Sequence, residues 1–163
     1  PKMVQRLDEG MQSLAEVIKK TTGKDITNYP GAGAAGGMGG GLLAFFNAEL
    51  KPGTELLLKA IDFSEKIKGA DLIITGEGKA DRQTAMGKVP YGILKEAQKE
   101  HIPVIVLAGS IENLPELNKA GFKGIFSIAP GPITLEKAME PEFAKENITR
   151  LVSQLYSVIT SFG

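Results

Sequence analysis

Three short apolar runs, Leu72 to Thr75, Val104 to Ala108 and Ile125 to Ile128, alternate with stretches of helical spacing, and this alternation limits the possible folds more than any other feature of the chain. The runs are rich in β-branched residues, as parallel strands buried on both faces are. Between the first two, the spacing predicts a helix over Val89 to Lys99. Between the last two it predicts another over Leu114 to Ala120, stopped by Gly121 as a C-cap. A final helix is predicted over about 145–160, with Ile148, Leu151, Val152, Leu155 and Ile159 on one face. The pattern is a βαβαβα portion of a doubly wound parallel sheet with right-handed crossovers. Ligands of such sheets lie outside the carboxyl ends of the strands. Three loops are therefore expected to meet on one crest: Gly76 to Lys88, Gly109 to Ile111, and Ala129 to Ile133.

The residues before Asp71 follow a different pattern. Met3, Leu7, Met11, Leu14 and Ile18 form the stripe of an amphipathic helix expected to face a core, with a subunit or domain seam as the other reading, although Gly10 within it costs about 1 kcal/mol. The segment "NYPGAGAAGGMGGGLLAFF" follows, with seven glycines among the eleven residues from Gly31 to Gly41, and then the short helical segments "GTELLLKAI" and "FSEKIKGA". With 163 residues and 42% hydrophobic content the chain has enough material for a core. Nineteen basic and nineteen acidic residues balance to zero net charge, which removes the electrostatic footprint of a nucleic-acid or polybasic membrane binder. A small neutral or anionic ligand is expected instead. The absence of cysteine excludes disulfides, thiol nucleophiles and thiolate metal sites. No apolar run approaches the ~20 residues of a membrane span, and "PKMVQRLDEG" lacks a signal-peptide pattern, so a cytoplasmic protein is expected. Met3 downstream of Pro1 fits either a processing scar or a missing amino-terminal portion.

The chemistry is concentrated in "TGEGKADRQTAMGK", Thr75 to Lys88, directly after the first apolar run. It is not a P-loop, because Lys88 is followed by Val89 and Arg82 occupies the required upstream glycine position. Gly76 and Gly78 are expected to let the backbone turn sharply around Glu77. Glu77 and Asp81, four residues apart, are candidates either to hold Mg²⁺ or to accept a hydroxyl proton. Lys79, Arg82 and Lys88 can neutralise an anionic substrate or a transferring phosphoryl group. Gln83 and Thr84 add neutral hydrogen-bond partners. "GAGAAG", Gly31 to Gly36, matches the dinucleotide fingerprint by letter but follows "TNYP" rather than a strand, so it is either a tightly packed hinge or a backbone cradle for an anion. Ser110 is either a substrate contact or a helix N-cap. His101, in "KEHIP", is expected to be solvated, Met86 to pack, and the sequon at Asn147 to lie within a helix.

These residues resemble the bacterial two-domain type of the glycerate kinase family. The resemblance rests on "PGAGAAGGMGGGLLAF" at Pro30 to Phe45, "ADLIITGEGKADRQTAMGKVPYGI" at Ala70 to Ile93, and "PVIVLAGS" at Pro103 to Ser110. Lys79 stands where the family has arginine or lysine, and Asp81, Gln83, Gly87 and Lys88 keep its pattern. The resemblance implies Mg²⁺-dependent transfer of the γ-phosphoryl group of ATP to a hydroxyl of D-glycerate, giving 2- or 3-phosphoglycerate. It also implies a flavodoxin-like α/β portion over residues 62–163 and, over 1–61, a helical and glycine-rich segment of a second α/β domain. On this view Asp81, Glu77, Lys79 and Lys88 are catalytic, with Glu77 and Asp81 as metal ligands. Gln83, Thr84, Gly87 and Ser110 contact substrate. Gly31, Gly33, Gly36, Gly37, Gly76 and Gly78 approach the nucleotide. Members of the family begin with a strand and an acidic, glycine-containing segment that have no counterpart here, so the chain looks like a carboxyl-terminal portion. It would need the amino-terminal half of such an enzyme for turnover, and a homodimer is an alternative association. A non-catalytic module binding a small anion or nucleotide, with the same fold, is the competing reading.

Overall fold

The computed structural model describes residues 2–161. They form two compact units, one ending at Pro52 and the other beginning at Gly53. The first is helical. Helix α1, Lys2–Thr22, carries Lys19 and Lys20 in its last turn, where their charge complements the helix dipole. Its apolar stripe is mostly open. Ile18 and neighbouring Ala15 are the buried residues of α1, whereas Met3, Leu7 and Leu14 are exposed. Within this unit the stripe faces a core at Ile18 and is half-buried at Met11, while Met3, Leu7 and Leu14 are left open as a seam would leave them.

Helix α2, Ala34–Phe46, packs Ala44 against Ala15, Ile18 and Ile26 in a small core. Its first turn is broken by left-handed backbone at Ala35, Gly36 and Gly37. Further along the helix, glycine serves close packing: a Cβ on Gly39 would stand 2.4 Å from the Gly31 carbonyl oxygen, and one on Gly40 would stand 2.6 Å from Ile26 Cδ1. At the other end of α2, Lys24 Nζ donates to the Ala44 carbonyl at 2.8 Å, a cation satisfying a terminal acceptor.

The second unit is α/β. Two short helices, α3 (Gly53–Ala60) and α4 (Phe63–Lys66), lead into β1 (Ile73–Ala80). Helix α5 (Val89–Lys99), β2 (Val104–Ile111), α6 (Leu114–Ala120), β3 (Gly124–Ser127), α7 (Leu135–Ala138) and α8 (Pro141–Thr160) follow. The three strands make one parallel sheet in the order β1-β2-β3. Val104 to Ala108 of β2 are buried at every position, as a central strand covered on both faces requires. Leu94 and Ala97 of α5 and Leu117 of α6 pack with Val104, Val106 and Ala108 to form the main core. Pro90 in the first turn of α5 and Gly121 in left-handed conformation after α6 mark the helix ends where the sequence predicts them. Residues 53–61, grouped by sequence with the first segment, lie in this second unit; Gly92 of α5 sits so close to α3 that a Cβ there would meet Thr54 Cγ2 at 2.3 Å.

Two strands run further than their apolar letters suggest. β1 continues through Gly76, Glu77, Gly78 and Lys79 to Ala80, and β2 continues through Gly109 and Ser110 to Ile111, paired as Lys79↔Ser110 and Ala80↔Ile111. Gly76 and Gly78 are thus strand positions, not the sharp turn expected of them. The close approach is at Gly109, where a Cβ would lie 2.7 Å from the Gly78 carbonyl oxygen. Asn147 is buried, with its amide donating to the Phe143 carbonyl and accepting from Arg150, so the sequon is spent on packing within α8. Among the described residues no helix is long and apolar enough to cross a membrane.

Candidate functional site

The carboxyl end of β1 supplies the site. Glu77 and Lys79 project from the strand itself, Asp81 is the residue after it, and Lys88 immediately precedes α5. Between Asp81 and Lys88 the chain makes a single 3₁₀ turn, Thr84–Met86. Asp81 and Thr84 lock this turn reciprocally. Asp81 Oδ1 accepts from the backbone N–H of Gln83 at 2.9 Å and of Thr84 at 3.3 Å. Thr84 Oγ1 accepts from the Asp81 N–H at 3.1 Å and donates to the Lys79 carbonyl at 3.4 Å. This is the logic of a capping box applied to one short turn.

Lys88 Nζ lies 3.6 Å from Asp81 Oδ1 and 4.0 Å from Glu77 Oε1, so two carboxylates and one ammonium share a point at the strand end. The three side chains are 21–33% exposed, accessible yet partly shielded. Partial burial pulls the Asp81 carboxyl upward, but the N–H groups of Thr84 and Gln83 together with the Lys88 ammonium outweigh it and hold the group below the usual carboxylate range. Asp81 is therefore an anion at neutral pH. Lys79 turns to a different partner, Glu112 Oε1 at 2.8 Å, and the hydrogen bond and charge of that carboxylate raise its pKa.

The sequence-predicted residues divide accordingly. Glu77, Asp81 and Lys88 converge, and Lys79 lies beside exposed Ser110 across the β1–β2 ladder. Ser110 does not cap a helix, since Asn113 holds the position before α6. Gln83 is exposed at the turn, and Gly87 leaves it with φ 138°, a conformation that disfavours any Cβ. Thr84 is completely buried with its hydroxyl engaged by backbone, so its side chain shapes the turn that carries Asp81. Met86, expected to pack, is exposed. His101 is exposed, as expected of a solvated residue. Glu112 was missed by sequence reasoning; the available signal was its position one residue beyond the second crest loop.

Gly31, Gly33, Gly36 and Gly37 lie in the first unit, where Gly31, Gly36 and Gly37 have positive φ. Several N–H groups of this turn are satisfied within it: Ala34 donates to Gly31, Gly37 to Gly33 and Gly40 to Ala32. Gly33 and Gly37 line a cavity of about 460 Å³ that is also bordered by Asp8, Gln12, Ile26 and Asn28.

The reciprocal turn is directly testable. Replacing Thr84 by Val keeps the side-chain volume but removes the partner of the partly buried Asp81 N–H, so Thr84→Val is expected to lower stability by about 1–3 kcal/mol in urea denaturation. Thr84→Ser, which restores the hydroxyl, is expected to recover most of the loss. Equal midpoints for wild type and Thr84→Val would show that the hydroxyl does not hold the turn.

Among the described residues no group of three or more His, Asp or Glu side chains gathers to hold a metal ion, so a divalent cation at this point would have two protein carboxylates and would need water or phosphate oxygens to complete its shell. Two carboxylates already face one cationic centre, and Mg²⁺ is commonly held by one or two carboxylates plus water and phosphate oxygens. Comparison with known proteins places this geometry in context. The family model described as "Glycerate kinase family" matches residues 1–160. The chain is 41% identical over 157 residues to the glycerate kinase of Bacillus cereus, covering 96% of this chain and 41% of that protein. It is 42% identical over 149 residues to the glycerate 2-kinase of Escherichia coli K12, covering 91% of this chain and 39% of that protein. A crystal structure named as a glycerate kinase 2 from Salmonella typhimurium LT2 superposes with a TM-score of 0.70 at 34% identity, over 99% of this chain and 40% of that one. The chain thus spans about two fifths of the length of these relatives.

Proposed function

This chain belongs to the glycerate kinase family, and on that premise we propose that it carries the strand-end wall of a site that moves the γ-phosphoryl group of ATP onto a hydroxyl of D-glycerate, giving 2- or 3-phosphoglycerate. The single observation behind this reading is the convergence of Glu77, Asp81 and Lys88 at the carboxyl end of β1. Phosphoryl transfer asks little covalent chemistry of a protein; it asks that anions be positioned and that the charge spreading over the phosphoryl oxygens be neutralised. Glu77 and Asp81 would hold Mg²⁺, which when bound neutralises phosphate charge. Lys88 and Lys79 would pair with phosphate or with the glycerate carboxylate. A carboxylate oxygen of Asp81 or Glu77 left free would accept the proton released as the hydroxyl oxygen bonds to phosphorus and the bond to the ADP oxygen breaks. Gln83, Gly87 and Ser110 border the same crest as substrate contacts. The glycine-rich turn at Gly31 to Gly37, within residues 1–61, would offer its backbone to the nucleotide. The opposing wall would come from the rest of a full-length kinase.

The test is a chimera in which this chain replaces the matching segment of the Escherichia coli glycerate 2-kinase. ATP-dependent phosphorylation of D-glycerate is expected, with the product resolved as the 2- or 3-isomer. A folded chimera that binds ATP and glycerate without turnover would favour the binding-module reading instead.

A further inference from the structure

We propose that Lys88 is an internal place-holder for the divalent cation, occupying the point between Glu77 and Asp81 and leaving it when the metal enters. This deepens the reading above and rests on its assignment of the metal to those two carboxylates.

Three features of the site carry the inference. First, the Asp81 carboxylate does not depend on Lys88 for its position, and Glu77 stands on a paired strand. The Asp81 carboxylate is fixed by the Gln83 and Thr84 N–H groups, and the backbone that carries Glu77 is fixed by the β1–β2 ladder, where it is paired with Ala108. Both carboxylates therefore lie within reach of one ammonium, and a cation between them offsets their repulsion. Second, Lys88 Nζ reaches both, at 3.6 and 4.0 Å, so the ammonium stands where a shared cation would stand. Third, Lys88 has extended backbone immediately before α5 and a side chain one-third exposed, so it can move outward by side-chain rotation while the helix stays in place. Lys79 is not placed to exchange in this way, because its ammonium is already drawn to Glu112.

An ammonium and Mg²⁺ cannot share this point. At roughly 4 Å their repulsion is substantial even in water-like surroundings, and it grows as the site closes. Entry of the metal must displace Lys88, and the displaced ammonium is then free for an anion arriving with the metal. The protein would thereby keep its carboxylates neutralised until metal and anion come together.

The consequence has an unusual sign: removing a lysine should improve metal binding. The full 163-residue chain is titrated with MgCl₂ at constant ionic strength, with the amide resonances of residues 77–88 followed by NMR. Lys88→Met is expected to bind Mg²⁺ about tenfold more tightly than wild type, as loss of one nearby positive charge in a partly screened site implies. Lys88→Arg, which keeps the charge, is expected to bind no more tightly than wild type, and in wild type the Lys88 Cε resonance should shift with Mg²⁺. Lys88→Gln provides the same comparison if Lys88→Met does not fold. Equal or weaker binding by the charge-free variants would overturn the place-holder role. Failure of every form to bind Mg²⁺ would overturn it too, while the kinase reading would still stand or fall on the chimera's turnover.

Discussion

Asp81→Asn, in an active chimera carrying this chain, is expected to lower kcat by about 10²–10⁴-fold, the usual loss when a positioned proton acceptor or a metal-holding carboxylate is removed. Folding should survive. Asparagine has nearly the same size, and its Oδ1 can still accept from the Gln83 and Thr84 N–H groups that shape the turn. What disappears is charge. Lys88 is left with Glu77 alone, and the site loses one of the two anions that make it suitable for a divalent cation. Because the lost interaction matters most as charge develops on the transferring group, kcat should fall together with kcat/KM, with KM for glycerate changing much less. Steady-state kinetics at saturating Mg-ATP, with a urea midpoint measured in parallel, checks both halves. A loss of less than threefold in kcat would remove Asp81 from the reaction.

The second large effect concerns the chain by itself: no glycerate phosphorylation above background is expected from these 163 residues alone. They correspond to 36–41% of the relatives' length. Phosphoryl transfer depends on two bound anions held in register from opposite sides, and such positioning can supply ~7–11 kcal/mol of the barrier reduction, which one wall does not provide. The surface of the first unit points the same way. Met3 and Leu7 of α1 are 76% and 63% exposed, and Phe46 at the end of α2 is 76% exposed, so a considerable apolar area faces solvent. Self-association of the isolated chain is expected on these grounds. Light scattering measures the mass in solution. A coupled ATP assay, with and without the complementary amino-terminal part of a relative added in trans, measures turnover. Full activity of the isolated chain would show that its site is complete and that the division of the cleft proposed here is wrong.

Much of the second unit was legible in the sequence. The apolar runs located three strands. The ranges of α5 and α6 follow from helical spacing, and Gly121 stops α6 because its left-handed conformation requires no Cβ. The dense mixture of charges after the first apolar run marked the place where Glu77, Asp81 and Lys88 meet. These are local or pattern-level properties: burial on both faces demands unbroken apolar letters, and a helix demands a period near four.

Where the sequence was misleading, the deciding partner was remote. "GEGKA" and "GSI" have no apolar alternation, yet they extend β1 and β2 because parallel ladder bonds use backbone groups alone and each segment is supplied with the other as its partner. The pairing of Lys79 with Glu112 arises from that same register, which brings together residues separated by an entire helix and strand. Thr84 is spelled like any surface threonine; its burial follows from the turn that folds it under Asp81. The α1 stripe has the spacing of a core helix, but spacing only records that a face is apolar. By itself, then, the sequence determined which segments become strands and helices and where charge gathers along the chain, because those depend on side chains a few residues apart. Only the tertiary structure decided how far the strands run, which carboxylate holds which lysine and which apolar face is left open, because each of those depends on what the fold places opposite.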